Sequence, residues 1–544
     1  MYNDDNFLLE NKKAHQLYEA VKDLPIFDYH CHLSPQEIYE NRAFYDLTEL
    51  WLECDHYKWR VMRNAGVPEK YITGNSAEPY EKFLAFARSL PLFPGNPVYH
   101  WAHLELKKYF GIYEPLSAST APSIWEKTKQ IMKDGSFCAR NLIEKSNVDT
   151  IFTTDDPTSD LKYHKLLLQE KLTSSSTHKA PTFTVAPSFR PDKAINIEKE
   201  DFVSYLKELE KASGVIISDL SSLIKALEKR LKFFIENGCV IADISFKDFC
   251  LPSILQSAQT SLSAQAKYDN TNYDKIMINA DKALKLTLNY DKNHDNNVAD
   301  NANYDNLSYL MSDYKYCILK ELALLFKKYD ITMQIHTGVL RNVNFFRFAQ
   351  CGPDCGIDSV GNALNIEAAG VLFDDIESSG FERGFDGGLP RTIIYTLNPN
   401  SYYPLATMIG DFAGSMSQKY DTTEKYDNFS GRMQLGAAWW FIDHRDGIKE
   451  QLKIFANTSG LGLFNGMLTD SRSFVSYARH DYFRRVLCSV IGEWIENGEY
   501  PDYENAIELV KNISFYNAKK NFDKKNFCES KDSKIFDAKN GGKK

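Results

Sequence analysis

The sequence predicts an α/β protein, a TIM-type (β/α)8 barrel that carries an inserted helical subdomain. Eight apolar segments recur along the chain, and most of them are followed by a helical pattern. The segments are continuously apolar rather than alternating, as in strands buried on both faces of a parallel sheet. The length of 544 residues suffices for one barrel with insertions. An open, doubly wound parallel sheet is the alternative that the same pattern allows.

The eight predicted strands are rich in β-branched and aromatic residues. In chain order they are IFDYH (26–30), DTIFTT (149–154), TFTVAPSF (182–189), CVIADISF (239–246), ITMQIH (331–336), RTIIYTLN (391–398), RMQLGAAWWF (432–441) and LFNGMLTD (463–470). Amphipathic segments between them, such as LSSLIKALEKRLKFFIENG, end at Gly or Asp shortly before the next strand, where a helix is expected to stop.

Two regions interrupt the alternation and define the predicted domains. The chain divides into an N-terminal helix with the first strand (1–34), a helical subdomain (35–145), the rest of the barrel (146–522) with an insertion at 255–312, and a polar tail (523–544). The insertion is rich in Asn, Asp and Tyr with repeated Tyr-Asp units, and we expect it to be a polar surface segment that cannot fold alone. The alternative, an acidic calcium loop, lacks the glycine and the twelve-residue spacing of an EF-hand.

Composition argues against several classes of protein and cofactor. The net charge is −9 without a basic run, so nucleic acid is not an expected partner. We expect no membrane span and no signal peptide, because no stretch is long and apolar enough and the start is polar and acidic. The ten scattered cysteines are then expected to be reduced thiols in a cytoplasmic enzyme. Phosphate-loop, dinucleotide-binding and serine-elbow motifs are missing, so no nucleotide or organic cofactor is expected. A homo-oligomer is compatible with the sequence.

The sharpest chemical feature is the pair His30 and His32 at the end of the first predicted strand. Side chains two apart on a strand project to the same side, so both imidazoles can bind one divalent ion. Catalytic groups of a barrel lie at the carboxyl ends of its strands. The alternative is two unrelated histidines, one at a turn and one in the core.

Other strand ends supply partners for this pair. His336 ends the fifth predicted strand, and Asp470 ends the eighth; together with the two histidines they make a plausible nitrogen and oxygen ligand set. Arg472 is again two residues beyond Asp470, where it can orient an anionic oxygen while Asp470 acts as metal ligand or general base. A core histidine and a salt-bridged strand end are the structural alternatives.

Substrate contacts are predicted at three further places. Arg190 in SFRPD can clamp a carboxylate through two hydrogen bonds, or serve as a surface turn residue. His56 and Tyr57 lie in the helical insertion, which can fold over the barrel mouth. Trp439 and Trp440 would point to opposite sides of a strand, so that one packs in the core and the other lines the pocket.

These motifs together resemble the uronate isomerase (glucuronate isomerase) family of the amidohydrolase superfamily. The resemblance extends from residue 24 to residue 522 and rests on FDYHCHLSPQEI, DHYKWRVMRNAGV, TTDDP, FRPD, MQIHTGVLRN, GPDCGIDSVG, LNPN, WWFIDHRDG and MLTDSRSFVSYARHDYFRRVLC. It implies a barrel of the metal-dependent hydrolase type that interconverts D-glucuronate with D-fructuronate and D-galacturonate with D-tagaturonate.

The resemblance also implies roles for individual residues. His30, His32 and Asp470 would hold a divalent ion such as zinc, and His336 would be the strand-five histidine near it. Substrate contacts are implied for Arg190, Arg472, His56 and Tyr57.

One position departs from the family's pattern. The family has a Ser-Asp-His-Gly run at strand four, whereas this chain keeps Asp243 and has Ile244 in place of the histidine. Two other functions stay open: a metal-dependent hydrolase, because the superfamily mostly hydrolyses amides and esters, and a catalytically inactive protein that binds sugar acids, which the lost histidine would fit. Retention of Asp470 and Arg472 argues against the inactive binder.

Overall fold

A parallel sheet of seven strands forms the centre of the computed structural model, which describes residues 5–172, 181–256, 270–292, 304–352, 354–414 and 431–523. Within these residues the sheet order is β1-β2-β3-β4-β5-β8-β9, and a separate two-stranded hairpin pairs β6 with β7. The strands are β1 (Ile26–Asp28), β2 (Val148–Asp155), β3 (Thr184–Phe189), β4 (Ile241–Ser245), β5 (Thr332–Thr337), β6 (Val339–Leu340), β7 (Ser359–Val360), β8 (Thr392–Thr396) and β9 (Met433–Leu435).

The sequential order of the parallel strands is that of a barrel, and the α/β barrel prediction is confirmed. The prediction of an eighth strand at 463–470 is wrong, because these residues form no regular strand. Residues 463–470 nevertheless lie beside the first strand, because Asp470 N–H donates to the His30 carbonyl at 3.1 Å and His32 N–H donates to the Ser471 carbonyl at 2.9 Å. An irregular segment therefore occupies the eighth position.

Helices surround the sheet and fill the connections. The α-helices are Lys12–Glu19, Pro35–Glu40, Leu47–Leu52, His56–Asn64, Pro79–Ser89, Pro97–Phe110, Ala121–Met132, Ala139–Lys145, Lys162–Leu172, Asp192–Ile195, Phe202–Ser213, Leu220–Glu236, Ser253–Gln256, Asn270–Lys292, Tyr304–Lys328, Phe345–Cys351, Ile366–Glu382, Tyr402–Phe412, Arg445–Thr458, Ala478–Glu496, Tyr503–Lys511 and Asn517–Phe522. Short 3-10 turns are Glu69–Tyr71, Leu90–Leu92, Pro399–Ser401, Trp440–Ile442 and Leu461–Leu463, and Asn512–Tyr516 is a π-helical turn. The connection between β1 and β2 is entirely helical in its regular structure.

The polar insertion is partly described, and its described portion is more ordered than the sequence predicts. Helix Asn270–Lys292 packs against helix Tyr304–Lys328 and buries Ala280 and Leu284. Lys320 joins the two, since its amine lies 3.5 Å from the centroid of the Tyr273 ring. Two Tyr-Asp units of the insertion, KYDN at 267 and NYDN at 303, fall partly outside the described residues. Two similar units in a separate loop, KYDT at 419 and KYDN at 425, fall wholly outside them.

The core lies between the sheet and the helices, as continuous apolar strands require. All five residues of β8 are buried, and so are all six of β5.

None of the described helices combines the length and the apolar character that crossing a membrane demands. The nine cysteines within the described residues are free thiols.

Candidate active site

A cavity of about 400 Å³ opens at the carboxyl ends of the strands. This is the edge at which barrels carry their functional groups. The cavity is lined by His30, His32, His56, Thr154, Asp156, Arg190, Asp192, Lys193, His336, Arg341, Asp354, Gly356, Asp358, Trp439, Trp440, Asp470 and Arg472. Of the predicted site residues, only Tyr57 is missing from this lining.

The two histidines of the first strand end converge on Asp470. His30 Nε2 lies 3.1 Å and His32 Nε2 lies 3.0 Å from the same carboxylate oxygen, Asp470 Oδ1. Burial opposes ionisation of Asp470, but hydrogen bonds from both imidazoles keep its pKa well below the ordinary value. Burial lowers the pKa of His32 to about 4, so this imidazole is neutral at pH 7. The result is an ionised carboxylate between two imidazoles.

The backbone at Asp470 is held in a left-handed conformation, with φ of +44°. Such a conformation is strained for a residue with a side chain and persists only where neighbours fix it. Thr469 N–H and Oγ1–H both donate to the buried Asp28 carboxylate, at 2.9 and 2.6 Å. The other oxygen of Asp470, Oδ2, accepts from Trp439 Nε1–H at 2.6 Å. Both the backbone and the carboxylate plane are therefore fixed.

A second cluster lies deeper and centres on Asp243, for which the sequence analysis predicted no role. Asp243 is fully buried; its Oδ1 lies 2.7 Å from His336 Nδ1 and its Oδ2 lies 3.6 Å from His30 Nδ1. Burial opposes ionisation, but Arg190, His30 and His336 outweigh it and lower the pKa of Asp243. An ionised carboxylate can only accept, so His336 Nδ1 carries the proton and Nε2 carries the lone pair. Among the described residues this Nε2 has no hydrogen-bond partner.

Arg190 borders the cavity but is already engaged by the protein. Its Nε donates to Asp192 at 2.7 Å, and its Nη1 lies 3.2 Å from Asp243 Oδ2. The side chain is one-fifth exposed, so part of the guanidinium faces the cavity. Arg190 can contact a ligand anion only while it also holds these two carboxylates.

The departure at Ile244 has a simple structural reading. Asp243 faces the barrel interior, where it meets His30, Arg190 and His336. Because side chains alternate along a strand, Ile244 faces the opposite way, and it is fully buried in the apolar core. An imidazole at position 244 of this strand would not reach the cavity.

His56 and Tyr57 begin a helix of the insertion that packs across the cavity mouth. Asp55 caps this helix, since its Oδ1 accepts from Tyr57 N–H at 3.0 Å. The two rings stack with centroids 4.7 Å apart, and His56 also meets Trp440 edge-on at 5.1 Å. Burial lowers the pKa of His56 to about 4. His56 lines the cavity and Tyr57 lies directly behind it.

The predicted division of the two tryptophans is wrong. Both Trp439 and Trp440 are buried and line the cavity. Strand β9 ends at Leu435, and Trp440 adopts a φ of +52°, so the alternation of a strand does not apply to them.

Arg472, two residues beyond Asp470, also lines the cavity and forms an ion pair with Asp354 at 3.2 Å. Asp354 belongs to the segment from β6 to β7, which closes this side of the cavity. Gly356 of the same segment, with φ of +78°, packs directly on His56. Arg341 pairs with Asp358 at 2.9 Å. The segment between β6 and β7 thus contacts both the helix that begins at His56 and the residues next to Asp470.

A larger cavity of about 740 Å³ adjoins this one and shares His32 and Arg472 with it. Its lining is acidic, with four glutamates against one further arginine: Glu37, Glu40, Glu49, Glu53 and Arg42. An anion is disfavoured there, so the chemistry is assigned to the smaller cavity.

The donor sets fit a divalent ion. Ligand atoms of His30, His32 and Asp470 lie within 4.8 Å of one another, as do those of His30, Asp243 and His336. Bonds of about 2.0–2.1 Å in tetrahedral geometry place nitrogen and oxygen ligands roughly 3.3 Å apart. The separations of 3.0 and 3.1 Å to Asp470 Oδ1 are close to that value. The lone pair of His336 Nε2 is a further available donor.

Comparison with known proteins shows the family to which the chain belongs. The family model for glucuronate isomerase matches residues 1–299 and 279–522. Relatives include uronate isomerases of Caldanaerobacter subterraneus subsp. tengcongensis, 44% identical over 95% of this chain and 98% of its own length, and of Brachyspira hyodysenteriae, 43% identical over 95% and 98%. A crystal structure of uronate isomerase from Thermotoga maritima is 30% identical, covers 96% of this chain and all of its own, and superposes with a TM-score of 0.77. The chain belongs to the glucuronate isomerase family.

Proposed function

We propose that the protein is a uronate isomerase, an aldose–ketose isomerase that interconverts D-glucuronate with D-fructuronate and D-galacturonate with D-tagaturonate. The observation that carries this proposal is the ionised Asp470 carboxylate, rigidly held at one wall of the cavity with Arg472 beside it. The cavity of about 400 Å³ lies in the size range of small-molecule sites, about 300–1,000 Å³. Similarity to the uronate isomerases over nearly their full length supports the reaction class.

The reaction moves a proton from C2 to C1 and shifts hydrogen between O1 and O2. The C2 proton is acidic only because the neighbouring carbonyl can accept charge as an enediolate. A site needs a base near C2 and C1, together with hydrogen-bond donors or cations at the two oxygens. Asp470 is the proposed base: its carboxylate takes the C2 proton and returns it to C1. With its pKa far below neutral it is a weak base, so catalysis depends on stabilising the enediolate.

The remaining side chains stabilise charge and orient the sugar acid. Arg472 and His56 are proposed to contact O1, O2 and the chain hydroxyls, while Tyr57, which the sequence also predicted as a substrate contact, is proposed to support His56 from behind. Arg190 is proposed to hold the C6 carboxylate, which it would share with Asp192 and Asp243. Trp439 and Trp440 exclude water from the reacting carbons.

His30, His32 and Asp470 are the residues proposed to hold a divalent ion, with His336 available beside them. Zinc is proposed because imidazole and carboxylate are ligands that it accepts. Such an ion supplies a positive charge that can orient or polarise substrate oxygens. Dialysis against a chelator should lower the metal content and the thermal midpoint together, because an ion that binds only the folded state stabilises it. Zinc should restore both. We also propose a cytoplasmic location, which the free thiols support.

Exchange of the C2 proton tests the proposal. Glucuronate incubated with the enzyme in deuterium oxide should yield ketose and incorporate deuterium, both followed by NMR. Asp470→Asn should abolish exchange while uronate binding stays detectable. Binding without exchange in the wild-type protein would instead indicate a sugar-acid binder, and hydrolysis of an ester or amide that chelation abolishes would indicate a hydrolase. Exchange that survives in Asp470→Asn would remove Asp470 as the base.

The role of Arg190 has a separate test. Arg190→Met should raise the Michaelis constant far more for uronates than for the corresponding neutral sugars. An equal effect on both would exclude Arg190 from carboxylate recognition.

A further inference from the structure

Arg479 is a buried arginine that the proposed reaction leaves unused. It is the second residue of helix Ala478–Glu496, its side chain is only 1% exposed, and it does not line the cavity. A buried guanidinium without direct contact to substrate needs another reason for its position, because removing its charge from water is expensive.

The first contact of Arg479 is with the irregular segment 463–470, which ends at Asp470. Its Nη1 donates to the carbonyl of Thr469 at 3.1 Å. Thr469 directly precedes Asp470, whose φ of +44° must be maintained by its surroundings. Arg479 fixes the carbonyl of Thr469, while Asp28 fixes the amide and the hydroxyl of Thr469.

The second contact is with two helices of the insertion, His56–Asn64 and Pro97–Phe110. The guanidinium carbon lies 4.7 Å from the centroid of the Tyr57 ring and 4.0 Å from that of Trp101. The two rings meet edge-on with centroids 5.5 Å apart. Cation–π contacts of this kind are stronger when they are desolvated, as here. Tyr57 in turn stacks on His56, which lines the cavity.

The charge of Arg479 is balanced by acidic groups on three separate segments. Asp55, Glu105 and Asp443 all stabilise the charged guanidinium against the effect of burial. Asp55 and Glu105 also share Lys58, at 2.7 and 3.5 Å from its amine. Acidic groups of both the insertion and the barrel therefore keep the pKa of the buried Arg479 guanidinium high.

We propose that Arg479 is a positioning residue that holds Asp470 and the His56–Tyr57 pair in one arrangement, through the Thr469 carbonyl on one side and the Tyr57 ring on the other. The inference rests on the proposed isomerase for the meaning of that arrangement. Because one planar guanidinium contacts both the Thr469 carbonyl and the Tyr57 ring, displacement of either contact affects the other.

The matched control is Arg484, another buried arginine of the same helix. It donates to the carbonyls of Leu24 and Pro25, at 2.8 and 2.6 Å, and does not contact the site. Arg479→Met and Arg484→Met remove a buried cation of the same kind. Only the first should affect the geometry of the site.

We expect Arg479→Met to lower kcat by about 10²-fold, as for a displacement of about 1 Å, with little change in KM. Arg484→Met should lower the thermal midpoint but leave kcat per folded, metal-loaded molecule unchanged. Arg479→Lys, whose single ammonium can serve only one of the two contacts well, should lose about tenfold in kcat. Wild-type kcat in either Arg479 variant, or an equal loss of kcat in Arg484→Met, would overturn the inference. The lysine variant keeps the test valid if the methionine variant does not fold.

Crystal structures of the Arg479 variants separate this inference from the proposed function. Displacement of the Tyr57 ring and relaxation of Asp470 out of the left-handed region support a positioning role even if the wild-type protein proves not to be an isomerase. Unmoved Tyr57 and Asp470 would overturn it, whatever reaction the protein catalyses.

Discussion

Gly356 is the contact point between the β6–β7 segment and the helix that carries His56. Its φ is +78°, and a Cβ built there would lie 3.1 Å from His56 Cβ and 3.2 Å from the His56 carbonyl oxygen. Gly356→Ala should therefore push the helix away from the cavity. Gly66, at the C-terminal end of the same helix, has the same φ of +78° but nothing within 4 Å of its ideal Cβ. Gly66→Ala is the control for backbone strain alone.

The expected magnitudes follow from these geometries. A left-handed alanine costs about 1–2 kcal/mol, a penalty that both variants share. With an unfolding entropy of about 2.1 cal/mol/K per residue, the 544-residue chain should lose roughly 1–2 °C in thermal midpoint from either change. Relief of the contact requires a shift of a few tenths of an ångström. Since about 1 Å of misplacement can cost about 10²-fold in rate, Gly356→Ala should lower kcat by about fivefold.

Two assays compare the variants with the wild-type protein: thermal midpoints at one fixed scan rate, and initial rates of ketose formation at saturating glucuronate. The predicted pattern is a similar loss of thermal midpoint in both variants and a loss of kcat in Gly356→Ala only. Equal kcat values in the two variants would refute the reasoning that the β6–β7 segment sets the position of His56. A fall in kcat for both would attribute the effect to the helix end instead.

Two further predictions concern buried carboxylates. Asp243→Asn keeps the volume of the side chain but removes one of the two carboxylates that Arg190 contacts, Asp192 and Asp243. We expect the free energy of unfolding to fall by about 3 kcal/mol and the thermal midpoint by roughly 3 °C. We also expect a much lower kcat. Asp375→Asn, which affects the buried amine of Lys320 away from the cavity, should change stability without changing kcat. Burial raises the pKa of Asp155 to about 7 in the folded protein, whereas its pKa in the unfolded chain is near 4. The proton bound in the folded state therefore contributes stability that is complete below about pH 4 and is lost as the pH rises through 7. Asp155→Asn should therefore gain in midpoint relative to wild type between pH 5 and 7; parallel curves over that range would contradict the assignment.

The strands that the sequence predicted well are those whose burial is set by the parallel sheet itself. The predicted segments DTIFTT and RTIIYTLN match the ends of β2 and β8 within a few residues, because strands covered on both faces need continuous apolar residues. His30, His32, His336 and Asp470 were predictable as cavity residues for a related reason: polar side chains directly after buried strands lie at the same end of a barrel.

Pairings between distant strands were not predictable from one sequence. The role of Asp243 depends on the register of β4 and β5, which aligns Ser245 with His336, and on Arg190 from the preceding strand end. Arg479 gives no local signal, since RHDYFRR reads as an ordinary charged helix start. Its burial is decided by Trp101 and Tyr57, more than 350 residues earlier in the chain.

The two places where strand periodicity fails are both at the cavity. The seventh predicted strand stops short of Trp439, and the eighth is broken; at these two places Trp440 and Asp470 adopt positive φ values of 52° and 44°. A regular strand would turn one tryptophan away from the cavity and would carry Asp470 on without the turn that presents its carboxylate to His30 and His32. The broken segment is tolerated because Gly466 lets the chain approach the Ile513 carbonyl, where an ideal Cβ would lie 2.0 Å from the oxygen. Irregular backbone at these two strand ends thus brings an indole N–H, two imidazoles and a carboxylate together. A more regular strand would be expected to lose activity while gaining stability.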